Sequence, residues 1–445
     1  METPICDFVR DYEKSAGVRL HMPGHKGRPF LGCEPWDITE IAGADDLYAP
    51  RGIIARSEEN AASLFGAAHT FYSTEGSSQC IRAMLHLAVQ NAAGGERPIV
   101  LAARNVHQAF LYAAALLDFD VVWLWPEKRR TLCACPVSPA RLAQTLDGLN
   151  ARPCAVYVTS PDYLGNQLDL GGLATVCRAH GIPFLVDNAH GAYLHFLPQP
   201  SHPMDLGAAA CCDSAHKTLP VLTGGAYLQI AKDAPKRYAE TARSALALFG
   251  STSPSYLTLQ SLDRANAYLA DGYEEKLLRC VEQVEALRMV LRERGWILSK
   301  TEPLKLTLDA TASGHTGQAL AKKLRDDGIE CEYADSDFVV LMVTPENREP
   351  DFQRIASALG QNDSPHFPLF PESDLPRPAS VMPIRRAIFS PHELLPPQQA
   401  LGRICGAPAV SCPPAVPIVS SGEVFGMDEI RLCEKYDIRT VDVVF

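Results

Sequence analysis

The chain has 445 residues, 47% of them hydrophobic and 21% charged. That length calls for two or three structural units, and that composition excludes disorder, collagen-like repeats and coiled coil. Lys and Arg number 41 against 52 Asp and Glu, and the net charge of -11 argues against nucleic acid as a partner.

The amino terminus, METPICDFVR, places charges where a signal peptide requires an apolar stretch. From about 51 to 228, short apolar runs alternate with stretches of helical period. A helix is predicted over SEENAASLFG (57–66) and a strand over HTFYST (69–74). A small-residue turn, EGSS (75–78), then opens a helix over QCIRAMLHLAVQ (79–90). Further strands are predicted at 98–103, 121–125, 154–159, 182–187 and 226–230. Apolar strands separated by helices read as a mostly parallel sheet covered on both faces, an α/β domain. The apolar stretch 109–125 is broken by Asp118 and Asp120 and is unsuited to a bilayer, so no membrane association and a cytoplasmic location are expected.

Residues 255–294 read as long helix closed by Gly295. A smaller α/β pattern follows, with strands at 304–309, 329–333 and 337–343 and helices at 316–328 and near 350–359. Thirteen of the 34 prolines fall within 365–417, which argues against regular helix or central strand there. Such a segment suits wrapping over the surface or a neighbouring subunit. A last αβ piece covers 427–444. The 14 cysteines include no C-x-x-C spacing, so reduced, buried thiols are expected, with no disulfide framework and no metal site.

Chemistry concentrates around SAHKT (214–218), after the small-residue run LGAAACC. A lone lysine in such a place would read as a surface residue, since lysine is seldom buried unpaired. Upstream, FLVDNAHGAYLH places Asp187 at the end of a buried-looking strand. Open α/β sheets bind ligands at the carboxyl ends of their strands. EGSS lies between a strand and a helix, where backbone N–H groups and hydroxyls can receive a phosphate. ARNVHQAF puts His107 on the loop after another strand, placed to lie flat over a ring. A lysine for a Schiff base, an acid for a pyridinium nitrogen and a Ser/Gly helix start for a phosphate are the requirements of pyridoxal phosphate.

Seven segments, LHMPGHKGRPF (20–30), GADDLYAPRGII (43–54), FGAAHTFYSTEGSS (65–78), ARNVHQAF (103–110), TSPDYLGN (159–166), VDNAHGAYLHF (186–196) and DSAHKTLPVLTGGAYL (213–228), resemble the ornithine/lysine/arginine decarboxylases of the aspartate-aminotransferase fold, in their short form. PPAVPIVSSGEVF (413–425) resembles that family's closing Pro-Pro-Gly-x-Pro…Pro-Gly-Glu motif. The resemblance implies a pyridoxal-phosphate-binding major domain and a smaller carboxyl-terminal α/β domain. Its division of the chain is an arm (1–42), the major domain (43–254), a linking helix (255–295), a small α/β domain (296–364) and a Pro-rich segment with a terminal α/β piece (365–445). It makes Lys217 the Schiff-base lysine and Asp187 the partner of the pyridine nitrogen. Ser77, Ser78 and Ser214 become phosphate ligands and His107 the stacking ring, with His190 and His216 beside the cofactor.

The implied activity is decarboxylation of arginine, lysine or ornithine to the amine, serving polyamine biosynthesis, in a homodimer with shared active sites. His216 is the candidate proton donor to Cα, with Lys217 the alternative. The distal cation of a basic substrate requires a carboxylate partner. Glu423 is the first candidate and Asp46 the second. Asn188 stands where an acid is expected, residues 223–225 read TGG where Gln is usual, and Ala415 and Ser421 replace Gly and Pro. These departures spare the cofactor site and bear on the substrate. An aminotransferase or lyase of the same fold would use the same Lys, Asp and phosphate cradle, and a non-catalytic cofactor-binding regulator is the remaining alternative.

Overall fold

The computed structural model describes residues 1–15, 17–92, 97–126, 131–365, 377–410 and 415–445. Seven strands form the main sheet: β1 (His69–Ser73), β2 (Ile99–Ala103), β3 (Asp120–Leu124), β4 (Ala155–Thr159), β5 (Phe184–Asp187), β6 (Ala210–Asp213) and β7 (Ala226–Ile230). Their order is β1-β7-β6-β5-β4-β2-β3. β5 runs parallel to β6 and β2 to β3, while β7 opposes both β1 and β6. The sheet is mostly parallel, as the alternation of apolar runs and helical stretches predicts. Every residue of β5, β6 and β7 is buried, which is why these strands read as continuous apolar runs.

The chain divides into two compact units, the first comprising 1–93, 154–156 and 170–276. Its helix Ile53–Leu64 starts four residues earlier than the spacing predicts. The cause lies in the preceding loop, where the Asp45 carboxylate accepts the Gly52 and Ile54 N–H groups at 2.8 and 3.1 Å. An acid nine residues upstream thus satisfies donors at the open end of the helix. The amino-terminal helix Pro4–Lys14 is tied in the same way. Ile5 and Cys6 donate their N–H groups to one Asp263 oxygen at 3.0 and 2.9 Å, and Ser57 Oγ donates to the other at 2.6 Å. The long helix predicted over 255–294 is two helices, Tyr256–Ala270 and Tyr273–Glu293, interrupted at Gly272 with φ +66°.

The second unit comprises 94–153, 157–169 and 277–445. Its small sheet places β10 (Phe338–Met342) between β8 (Lys305–Asp309) and β9 (Tyr333–Ala334), all antiparallel. The strand predicted over 329–333 shrinks to its last residue and one beyond. Gly328, at φ +73°, lets the Ile329 N–H turn back to Leu324 O, so Ile329 closes a helix instead of opening a strand. The Pro-rich stretch departs further from expectation. It contains a helix, Ile384–Phe389, and the strand β11 (His392–Leu395), because Pro383 and Pro391 flank these elements and interrupt neither. Its residues 366–376 and 411–414 lie outside the described residues, as does the Pro413–Pro414 start of the closing motif. Strands β12 (Ala409–Val410) and β13 (Pro417–Val419) pair, as do β11 and β14 (Val441–Val444). Val419, Phe425, Cys433 and Val443 pack into one core with Leu132.

Candidate active site

Strand register brings three loops of the first unit to one edge. Asp187 on β5 lies beside Cys212 on β6, Asp213 lies opposite Tyr227, and Ala226 lies opposite Ser73 of β1. Two reversals make β1 parallel to β6. The chain therefore leaves the sheet on the same side after Ser73, Asp187 and Asp213. Those exits carry Ser77–Ser78, Asn188–His190 and Ser214–Lys217, the residues singled out in the sequence.

The helix Ser77–Gln90 begins after Gly76, whose φ of +72° is a left-handed turn that glycine takes without strain. No described side chain caps it, so its first N–H groups face outward for an acceptor. Ser214 Oγ donates to Ser77 Oγ at 2.8 Å, placing two hydroxyls together near this helix start. Ser78 follows in the first turn. Lys217 Nζ stands 3.0 Å from His190 Nε2. His216 donates from Nδ1 to Gly225 O at 3.0 Å, which fixes the tautomer, since a carbonyl only accepts. Asp187 is 2% exposed, and its Oδ1 takes the Ala189 N–H at 3.2 Å and the Cys212 thiol at 3.6 Å.

Behind these groups lies a network that sequence reasoning missed. The buried Asp213 carboxylate accepts from Asn188 Nδ2, from His202 Nε2 at 3.1 Å and from Gln229 Nε2. Asn188, placed where an acid is expected, therefore acts as a donor that ties the end of β5 to the end of β6. Gly191 is required beside it, because a Cβ there would lie 2.1 Å from Asn188 Oδ1. His202, Cys211 and Asp213 bring ligand-type atoms within 4.8 Å of one another. Three donors already occupy the carboxylate, so Asp213 and His202 are parts of a hydrogen-bonded strut. Asp213 adjoins a residue already noted, but its partners come from three distant stretches that no local pattern connects.

In the second unit, His107 caps the helix Gln108–Leu117, its Nδ1 accepting the Ala109 N–H at 3.1 Å. Glu423, the first candidate partner for a substrate cation, sits in an internal ion pair through its Oε2, while its Oε1 is buried without a hydrogen-bond partner among the described residues. This carboxylate, 1% exposed, already has a resident cation, Arg104 at 3.0 Å, and takes the Ser420 N–H at 2.6 Å. Arg104 also donates to Pro417 O and Ile418 O, and its guanidinium lies over the Trp123 ring. A buried carboxylate committed to an internal ion pair is a poor partner for a substrate cation, since freeing it would leave Arg104 unpaired. Asp46, in the first unit, is exposed and takes the Tyr48 N–H of its own loop at 2.8 Å.

A family model for Orn/Lys/Arg decarboxylase, major domain, matches residues 3–310. The chain belongs to the Orn/Lys/Arg decarboxylases. An arginine decarboxylase of Bacillus subtilis is 30% identical, over 96% of this chain and 92% of that one. An uncharacterised protein of the same organism, YaaO, is 30% identical over 97% and 93%. Among solved structures, the lysine decarboxylase LdcF of Francisella novicida superposes with a TM-score of 0.80 at 15% identity, over all of this chain and 81% of that one. Serine palmitoyltransferase of Sphingomonas wittichii superposes at 0.56 and 15% identity, covering 81% of this chain and 83% of that one, so the fold is shared beyond decarboxylases. As an Orn/Lys/Arg decarboxylase the chain is a pyridoxal-phosphate-dependent decarboxylase whose substrate is an amino acid, a small molecule. The residues present fit that cofactor: an amine at Lys217, a buried acid at Asp187, and two hydroxyls near an uncapped helix start. No described helix is long and apolar enough to cross a membrane.

Proposed function

We propose that this enzyme decarboxylates arginine, lysine or ornithine to the corresponding amine, in the cytoplasm, as a supply step for polyamines. The observation that carries the site assignment is the arrival of Lys217, Asp187 and the Ser77–Ser214 pair at one sheet edge. When bound, pyridoxal phosphate supplies an electron sink for the pair left as the Cα–carboxylate bond breaks. Lys217 Nζ would be the amine that holds the cofactor through its aldehyde carbon. His190, 3.0 Å away, orients that amine. Asp187 holds the pyridine nitrogen protonated, and Ser77, Ser78 and Ser214 receive the phosphate.

His216 carries a proton toward Cα, with its Nδ1 pinned to Gly225 O so that Nε2 is the exchanging atom. Lys217 is the other candidate for this step. A homodimer with shared sites is supported by the segment 17–36, where Val18, Leu20, Phe30 and Leu31 are each more than three-quarters exposed. A row of apolar side chains in water favours burial against another surface, and a second copy of the chain supplies one.

The test is direct. Incubation of the holoenzyme with arginine, lysine and ornithine separately should release CO2 and accumulate the matching amine, with no keto acid. Lys217→Ala should abolish turnover and the borohydride-reducible adduct while the far-ultraviolet spectrum stays native. An adduct persisting in that variant would place the cofactor on another lysine, and keto acid without CO2 would make the enzyme an aminotransferase.

A further inference from the structure

The turn between β1 and the helix Ser77–Gln90 is framed by a residue that no motif marked. Gln79, the third residue of that helix, is 1% exposed. Both polar atoms of its side chain are engaged. Oε1 accepts from Ser73 Oγ at the end of β1. Nε2 donates to Leu246 O at 2.8 Å and to Tyr48 Oη at 3.0 Å. The Leu246 carbonyl can only accept, which fixes the two ends of the amide. One side chain thus joins the strand before the turn, the loop carrying Tyr48 and the helix Lys236–Ala247. All of these stretches belong to the first unit.

A glutamine three residues after an N-cap ordinarily does something else. Its side chain can reach back to the N-cap N–H and close the open end of the helix. Here the Gly76 N–H is taken by Gly224 O at 2.8 Å, and the Gln79 amide is drawn inward by its three partners. The Gln79 N–H turns back to Gly76 O at 3.2 Å, and Ser73 Oγ accepts the Glu75 N–H at 3.1 Å, so the turn is closed upon itself. That leaves the Ser77 and Ser78 N–H groups for an acceptor, beside the Ser77–Ser214 hydroxyl pair. The neighbouring chain makes room for the amide, since a Cβ on Gly250 would collide with Gln79 Nε2 and Tyr48 Oη.

We infer that Gln79 is a positioning residue for the cofactor's phosphate. By committing its amide to Ser73, Tyr48 and Leu246 it sets the turn and keeps the helix start uncapped for the anion. The inference rests on the reading that Ser77, Ser78 and Ser214 receive the phosphate, and it deepens that reading. Gln79 acts through Ser73 and the helix start, so its effect falls on ligands that carry a phosphate and spares those that do not.

The test compares pyridoxal phosphate with pyridoxal, the same aldehyde without the phosphate. The phosphorus-31 resonance of the holoenzyme, and the Kd of the cofactor-depleted full chain for each aldehyde, are measured in wild type, Gln79→Leu, Gly250→Ala and Ser214→Ala. Gly250→Ala displaces the same amide from outside the helix and keeps the test open if Gln79→Leu fails to fold. Affinity for pyridoxal phosphate should fall roughly tenfold or more in each folded Gln79 or Gly250 variant, as for loss of hydrogen bonds to a charged group. The phosphorus resonance should shift, and the Kd for pyridoxal should not change. Equal losses for the two aldehydes would make Gln79 a support of the fold alone and overturn the inference. It is also overturned, with the phosphate reading left standing, if Ser214→Ala loses the wild-type preference for the phosphorylated aldehyde while folded Gln79→Leu, or Gly250→Ala in its stead, retains it. A wild type that binds the two aldehydes equally, or a preference that survives in every variant, takes the phosphate away from this turn and removes both readings.

Discussion

Glu58 shows how burial and an ion pair compete in one side chain. It is almost wholly buried, pairs with Arg243 at 2.6 Å and accepts the Tyr72 N–H at 2.8 Å. Desolvation nevertheless outweighs Arg243 and lifts its carboxyl from 4.5 to about 7. A folded-state pKa raised above the unfolded one means the native chain binds the proton more tightly. Its contribution is therefore fully present below pH 4.5 and is lost as pH rises to about 7. Urea unfolding of wild type and Glu58→Gln at pH 5 and pH 8 should show the wild type losing ground to the variant on going up. A pH-independent difference would mean that Arg243 dominates. Asp187 offers a second prediction at this scale. Asp187→Asn should keep the cofactor and lower kcat on the order of 100-fold, because the ring nitrogen loses the charge that holds its proton. Near wild-type turnover would refute the ring-protonation role. Lys217, Asp187 and the Ser77–Ser78 pair were legible because each follows an apolar run, where the period of the sequence marks a strand end. The Arg104–Glu423 pair was not, since its members lie 319 residues apart and neither stretch announces the other.

At the scale of elements, the amino-terminal helix depends on one carboxylate. Asp263 accepts two backbone N–H groups from that helix and a hydroxyl from the helix Ile53–Leu64. Asn in its place would turn an amide NH2 toward one set of these donors. Asp263→Asn should cost about 1–3 kcal/mol of stability and expose residues 1–15 to limited proteolysis before the rest of the chain. Equal protection in wild type and variant would show that apolar packing of Ile5 and Val9 suffices. The elements predicted best, β1, β2, β4 and β7, are short apolar runs bounded by polar or turn residues. Those misjudged had causes off the local pattern: Asp45 extending a helix backward, Gly272 breaking one, and prolines flanking a helix and a strand in a stretch where their density argued against both.

For the whole molecule, the exposed apolar side chains of 17–36 carry the expectation of a dimer. Sedimentation should give twice the chain mass at micromolar concentration. Phe30→Glu or Leu31→Glu should weaken self-association on the order of tenfold or more, as for a charge buried at an apolar contact. A fully active monomer would end that reading. The class of the fold was visible from the alternation of strands and helices, and the division into 1–93, 154–156 and 170–276 against the remainder was not. Chain order hides such interleaving, since β4 is reached only after the chain has built β2 and β3.

The buried thiols have a practical consequence. Nine of the described cysteines are buried, among them Cys80, Cys211 and Cys212 in the first unit and Cys405 and Cys433 in the second. Desolvation raises each of these five above the ordinary thiol value, and only thiolate reacts with alkylating reagents. Each must wait for its surroundings to open before it can be modified. The chain therefore carries two sets of internal clocks. Timed alkylation followed by peptide mass mapping reads, from one tube and without any introduced label, how often each half of the enzyme breathes.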